Sequence, residues 1–308
     1  MGFVYILVSL IGLIIFVYLV LSFRFFRLTL IPKKESNWDF MLDHIKRKDY
    51  KWAYLDMEFE KLEIKSRFNY PLYARLYKTE KPSHKWIIDS HGWTSKGIGQ
   101  IKYVDLFREL GYNVLVVDHR YSTESGGKCI SFSYFEKFDV ISWIDEIQKR
   151  DDKATFGIFG ESMGAATAIY VTSLDSRIKF LISYCSYTSV PELFKELLLK
   201  KLPEGKKKYT KLLLTVFVPF KILSRFVYKV DIASIDTREA MKKINVPCLV
   251  MHSKADKLID IKYAYDLLAV NPNAEYLEFE ESQHSLSYAR YPEKFKSGVQ
   301  NFIRKVEK

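Results

Sequence analysis

Cysteine is scarce: Cys129, Cys185 and Cys248 are the only three in 308 residues. Their wide spacing and odd number exclude a disulfide framework and any CxxC zinc pattern, so they read as small buried residues. No metal-ligand cluster and no phosphate-cradling glycine loop occurs, so no cofactor and no metal is expected. No internal repeat of fixed period and no RNA-recognition or zinc-finger signature is present, which argues against a nucleic-acid partner. Acidic side chains are also short, 37 against 48 Lys and Arg, for a net charge of +11. That excess has one address, because residues 195–229 hold ten Lys or Arg against two acids. The apolar share of 48% and charged share of 28% describe a globular chain.

Residues 3–23 run without a charge and are long enough to cross a bilayer as one helix, followed by Arg24, Arg27, Lys33 and Lys34. A cleavable signal peptide needs a basic start, a shorter apolar core and a small-residue cleavage site, none of which is visible. Residues 1–25 therefore read as a retained single-pass anchor in the cell membrane and 26–55 as a juxtamembrane connector. The positive cluster after the helix argues that the rest of the chain is cytoplasmic, but the side stays open.

From residue 56 to 308 the chain reads as one domain. Residues 56–64 alternate apolar and charged side chains, as a half-buried strand does, and 70–77 form its partner. Short apolar runs then follow at 86–88, 114–117, 156–159, 180–184, 248–251 and 274–279. Helical stretches at 100–110, 134–149, 163–173, 261–269 and 292–306 separate them. Repeated strand, helix, strand of this spacing predicts a mostly parallel eight-stranded sheet with helices on both faces. About residues 190–238 interrupt the rhythm with an insertion far longer than an ordinary connection, which reads as a helical cap. Its apolar residues Leu212, Leu213, Leu214, Val216, Phe217, Val218 and Phe220 fit either a lid facing lipid, with lysines among anionic headgroups, or a helix packed on the core.

Residues 156–164 read FGIFGESMG, which contains the pattern G-x-S-x-G. Such a pattern suits a tight strand-to-helix turn that lifts Ser162 toward a substrate, with Gly160 and Gly164 where larger side chains would clash. A serine needs a base, and the base needs an orienting acid. Both follow in order: Asp256 after the run at 248–251, with Asp260 as its rival, and His284 after the run at 274–279. Backbone N–H groups of Met163 and Trp93 are the expected oxyanion donors. His91 reads as a brace for the loop that carries Trp93. Trp93, Glu161 and Phe217 are expected to contact substrate. His84 and Asp89 match an acyltransferase spacing, but they straddle the strand that delivers the oxyanion loop and are read as coincidence.

The ordered set His91-Gly92-Trp93-Thr94, Gly160-Glu161-Ser162-Met163-Gly164, Asp256 and His284 resembles the α/β-hydrolase superfamily. Within it the chain is similar to the serine aminopeptidase-like and monoglyceride-lipase-like branch, including membrane-anchored bacterial members. That branch's Asp-x-Arg and Ser-x-Gly stand here as Asp118-His119-Arg120 and Ser125-Gly126-Gly127, while Tyr121 and Thr123 replace the usual glycines between them. The resemblance implies an α/β-hydrolase fold and a serine hydrolase acting through an acyl-enzyme. Its expected substrate is a small-molecule or lipid carboxylic ester. Peptidase, amidase or acyltransferase chemistry on the same residues, or a non-catalytic membrane-bound binding module, are the alternatives.

Overall fold

The computed structural model describes residues 1–34, 36–47, 50–200 and 214–308. Its centre is one sheet of β1 (Glu60–Lys65), β2 (Pro71–Tyr77), β3 (Lys85–Ser90), β4 (Asn113–Val117), β5 (Thr155–Glu161), β6 (Ile178–Tyr184), β7 (Cys248–Ser253) and β8 (Glu275–Phe279). In space the order is β1-β2-β4-β3-β5-β6-β7-β8. Pairings β1 to β2 and β2 to β4 are antiparallel, and every other pairing is parallel.

The helices in chain order are α1 (Gly2–Leu30), α2 (Asn37–Lys46), α3 (Val104–Arg108), α4 (Glu136–Arg150), α5 (Met163–Leu174) and α6 (Val190–Lys200). They continue as α7 (Phe217–Tyr228), α8 (Arg238–Met241), α9 (Lys262–Val270), α10 (Ser287–Arg290) and α11 (Pro292–Val306). Neighbouring strand residues point to opposite faces, so consecutive apolar residues feed two cores. On one face Trp86, Ile88, Leu115 and Ile158 pack with Trp143 and Ile144 of α4, Ile169 of α5 and Leu267 of α9. On the other, Ile87, Val114, Val116 and Phe159 pack with Phe107 of α3 and with Phe295, Val299 and Phe302 of α11. All three cysteines are buried.

Two expected elements are displaced. β1 begins at Glu60 rather than at residue 56, because its antiparallel partner is nearly spent there: Glu60 already pairs with Leu76, and β2 ends at Tyr77. The helix expected over 100–110 splits into a 3₁₀ segment, Gly97–Tyr103, and the short α3. Its entry is tied by the Gly97 N–H donating to Asp118 Oδ1 at 2.7 Å.

A third cluster lies beyond the sheet edge and joins α1 to α6 and α7. Phe26 and Leu30 of α1 are buried there with Ile130, Met163, Tyr187, Phe194 and Phe220. Three further links hold α1 to the rest of the chain: Tyr18 Oη to the Thr215 carbonyl (2.5 Å), Trp93 Nε1 to the Thr29 carbonyl (3.0 Å), and Ile130 N–H to the Leu30 carbonyl (2.8 Å). The N-terminal part is different in kind, since α1 is long and apolar enough to cross a membrane and its most hydrophobic 18-residue window is 0% buried. In α7, Phe220 is fully buried while Val218 is 50% exposed. Leu212, Leu213 and the lysine-rich centre of the cap lie outside the described residues.

Candidate active site

Ser162 sits at the junction of β5 and α5 with φ 58° and ψ −118°, a conformation that L-residues rarely adopt. The flanking glycines permit it. A Cβ on Gly160 would lie 2.3 Å from the Gly164 carbonyl oxygen, and one on Gly164 would lie 1.8 Å from that of Ser90. A side chain at Gly160 would force β5 apart from the start of α5, and one at Gly164 would drive the turn away from β3. The Ser162 N–H is fixed by the Tyr184 carbonyl at 2.8 Å, so the elbow is braced from β6 as well.

His284 and Asp256 arrive from loops after β8 and β7. His284 Nε2 is 2.9 Å from Ser162 Oγ, and His284 Nδ1 is 2.7 Å from Asp256 Oδ2. The other Asp256 oxygen accepts the N–H groups of Leu258 and Ile259, both at 2.9 Å. A buried carboxylate needs such partners to stay ionised. Burial would raise the Asp256 pKa, but the His284 bond and the backbone N–H outweigh it and hold the pKa below its usual value. At His284 burial acts against the imidazolium, yet the neighbouring Cys185 sulfur and the Asp256 carboxylate prevail and set the pKa well above 6.5. With Asp256 accepting the Nδ1 proton, Nε2 is left as the acceptor for the Ser162 hydroxyl. The rival Asp260 lies elsewhere, its Oδ1 accepting the Lys262 N–H at 3.0 Å at the start of α9.

Two ties that the sequence did not announce hold these loops in register. Ser253 Oγ accepts the Ser282 N–H at 3.1 Å, joining the acid loop to the histidine loop, and Tyr184 Oη accepts the Ser287 N–H at 2.8 Å. His252 Nε2 also meets the Ile259 carbonyl at 3.0 Å, stiffening the acid loop.

The residues expected to offer oxyanion donors come from the loop after β3 and from α5. A Cβ on Gly92 would sit 3.2 Å from Ser162 Cβ, so the backbone entering Trp93 runs against the serine. Met163 opens α5, where first-turn N–H groups have no partner within the helix. Behind this loop His91 Nδ1 donates to the Gly92 carbonyl (2.8 Å) while Nε2 accepts the His119 N–H (3.0 Å), which fixes its tautomer. Burial lowers the His91 pKa and keeps the ring a neutral brace.

Glu161 requires a correction, because its carboxylate does not face a substrate space. It is 3% exposed, accepts the Tyr103 hydroxyl at 2.5 Å and pairs with Lys102 at 3.0 Å. Burial favours the neutral acid, but the Lys102 charge and the Tyr103 bond keep its pKa below the usual value. Lys102 carried no sequence signal beyond its place in an amphipathic stretch. Phe217 packs edge-on against Phe25 of α1 at 5.2 Å and parallel to Phe194 at 6.3 Å, between the cap and α1. Trp93 is 40% exposed, with its indole held by α1. His84 bonds Asp151 at 2.6 Å, whereas Asp89 is fully buried with both oxygens unpartnered, so the His84 and Asp89 spacing brings nothing together. Among the described residues Cys185, Asp256 and His284 bring potential metal ligands within 4.8 Å, but two of these already bond each other.

A family model described as alpha/beta hydrolase fold matches residues 85–215. The esterase Pf2001 of Pyrococcus furiosus superposes with a TM-score of 0.65 at 22% identity, covering 83% of this chain and 95% of its own. The chain has the α/β-hydrolase fold. Est1E of Butyrivibrio proteoclasticus, solved with ferulic acid bound, superposes with a TM-score of 0.62 at 16% identity over 79% of this chain and 98% of its own. By sequence, YqkD of Bacillus subtilis is 28% identical over 303 residues, 95% of each chain. A pimeloyl-[acyl-carrier protein] methyl ester esterase of Aliivibrio fischeri is 31% identical over 72 residues, 23% of this chain and 28% of its own. In an α/β-hydrolase fold the turn after β5 is where a nucleophile elbow stands, and here that turn carries Ser162.

Proposed function

We propose that this chain is a serine hydrolase of carboxylic esters, held at a membrane by α1. The carrying observation is the unbroken line from Ser162 Oγ through His284 to Asp256, with links of 2.9 and 2.7 Å, on a strained elbow. Ser162 Oγ attacks the ester carbonyl while His284 Nε2 takes its proton. The oxyanion that forms is stabilised by the Met163 and Trp93 N–H groups. Collapse breaks the bond to the alcohol, which leaves with the proton returned by His284. Water then attacks the acyl-enzyme, again giving its proton to His284, and the acid departs as Ser162 regains its hydrogen. Asp256 holds the tautomer and stabilises the imidazolium throughout. The esterases among the structural relatives support an ester substrate, and the aromatic cap around Phe194, Phe217 and Phe220 favours an acyl chain over a charged one.

Treatment of the full chain with a fluorophosphonate probe tests this reading. Wild type should label and Ser162→Ala should not; equal labelling of the two, or none of the wild type, would sink it.

A further inference from the structure

A cavity of about 370 Å³ lies between the connector and the loops after β3 and β4. Its wall reaches Met163 and His91, the neighbours of Ser162 on the oxyanion side, and its far rim is Lys33 and Lys34 where α1 has just ended. Cations outnumber acids on the described wall: Lys33, Lys34 and Lys96 stand against one carboxylate, Asp43, which is already paired with Arg47 at 2.6 Å, while Arg120, also in the wall, keeps its guanidinium among the Phe68, Tyr70 and Phe135 rings outside it. Arg120 turns its guanidinium onto the Phe135 ring, 4.6 Å from its centroid, and Lys96 Nζ donates to the Ser36 carbonyl. Lys34 Nζ rests 4.8 Å above the Tyr121 ring, and burial lowers its pKa against the pull of Asp118, so this ammonium gains from an anionic partner. Three wall residues with side chains, Thr94, Lys96 and Tyr121, have φ near +60° (59°, 61° and 59°). Strain of this kind persists where the surroundings hold it, and it gathers at ligand sites. His119, 2% exposed, adds a ring to the wall whose Nδ1 has no partner among the described residues.

We propose that this cavity is an anion subsite that receives the phosphate-bearing part of an acyl ester, with Lys33 and Lys34 as its specificity residues. It rests on Ser162 being the nucleophile, since the subsite places a phosphorylated alcohol as the leaving group beside the oxyanion donors. The substrate class is then an acyl ester of a phosphorylated alcohol rather than a neutral glyceride. At the end of an apolar helix, the same chemistry is offered by a lipid headgroup or by a soluble phosphate ester.

The test uses the full chain in detergent with two esters of one acyl chain, decanoyl-glycerol 3-phosphate and decanoyl-glycerol. In Lys33→Ala/Lys34→Ala, kcat/KM for the phosphorylated ester should fall about tenfold or more, the loss typical of a contact to a charged group, with less than a twofold change for the neutral ester. Lys33→Arg/Lys34→Arg should keep the preference. Equal loss on both esters, or no loss on either, overturns the subsite. Presenting the phosphorylated ester as monomers or in neutral vesicles then tells a soluble source from a bilayer one. Binding of the non-hydrolysable ether analogue separates the two readings. Lysine-dependent binding without hydrolysis of any ester overturns the nucleophile assignment alone, whereas binding indifferent to both lysines overturns the subsite.

Discussion

Replacing Asp256 by Asn tests the acid of the triad at the level of a single proton. The carboxylate does two things at once: Oδ2 meets His284 Nδ1 at 2.7 Å, and Oδ1 accepts the Leu258 and Ile259 N–H groups at 2.9 Å each. An Asn can keep its oxygen on the two backbone donors, so the loop and the fold should persist. Its NH₂ then faces Nδ1, which must become an acceptor, and the proton moves to Nε2. A protonated Nε2 cannot take the Ser162 hydrogen. Turnover of p-nitrophenyl butyrate should fall about 10³- to 10⁴-fold, the size of effect that a wrong tautomer produces. Unfolding midpoint and secondary structure by circular dichroism should stay near wild type. Asp260→Asn is the matched control, because Asp260 only caps the Lys262 N–H and should cost activity less than about twofold. Retention of more than about a tenth of wild-type turnover in Asp256→Asn, or a larger loss in Asp260→Asn, refutes the assignment.

The activity limb set by His284 should lie above pH 6.5: its raised pKa keeps the inactive imidazolium to higher pH, so kcat/KM falls as pH drops through that value, and a limb at or below 6.5 contradicts the assignment. Gly164→Ala should cost about 3 kcal/mol or more in urea unfolding, since its Cβ would lie 1.8 Å from the Ser90 carbonyl oxygen and backbone must move on both sides. Lys102→Met leaves Glu161 charged and buried and should destabilise by about 3–5 kcal/mol, whereas Lys102→Met/Glu161→Gln should recover most of that; additive losses would mean the pair is not coupled. Deleting residues 2–17 should release active protein from membranes, while deleting 2–31 should cost about 3–5 kcal/mol by removing Phe26 and Leu30, which are 2% and 0% exposed; thermal unfolding and p-nitrophenyl butyrate turnover distinguish the two.

What the sequence made legible was whatever repeats a local rule. Apolar runs separated by helical stretches marked the six strands from β3 to β8, because a strand covered on both faces has no polar side to disguise it, while alternation marked β1 and pointed to its partner β2. Gly160 and Gly164 marked the elbow, because no other residue fits against the backbone there. Asp256 and His284 were singled out by order and by their place after strands, which is a rule about sheet edges and not about neighbours in sequence, and the structure sets them 2.7 Å apart. Glu161 was misread for the opposite reason. Its fate depends on Lys102, 59 positions earlier, and no local pattern announces a buried ion pair that closes only when two elements meet.

The N-terminal helix shows how one helix can hold two physically different segments. Hydropathy marks the charge-free stretch from residue 3 to 23, whereas α1 continues past Arg24 and Arg27 to Leu30, and the docked end is broken by charge and escapes the pattern. The structure divides α1 by partner instead: among the described residues no side chain before Tyr18 makes a hydrogen bond, while Tyr18, Thr29 and Leu30 bond the cap and the loops after β3 and β4, and Phe25 and Phe26 enter the aromatic cluster of Phe194 and Phe220. The Trp93 indole is held by the Thr29 carbonyl, and Met163, next to Ser162, is buried in the same cluster as Phe26 and Leu30. The C-terminal end of α1 is therefore packed against both residues expected to offer oxyanion donors, so a displacement of α1 would be felt on both sides of Ser162.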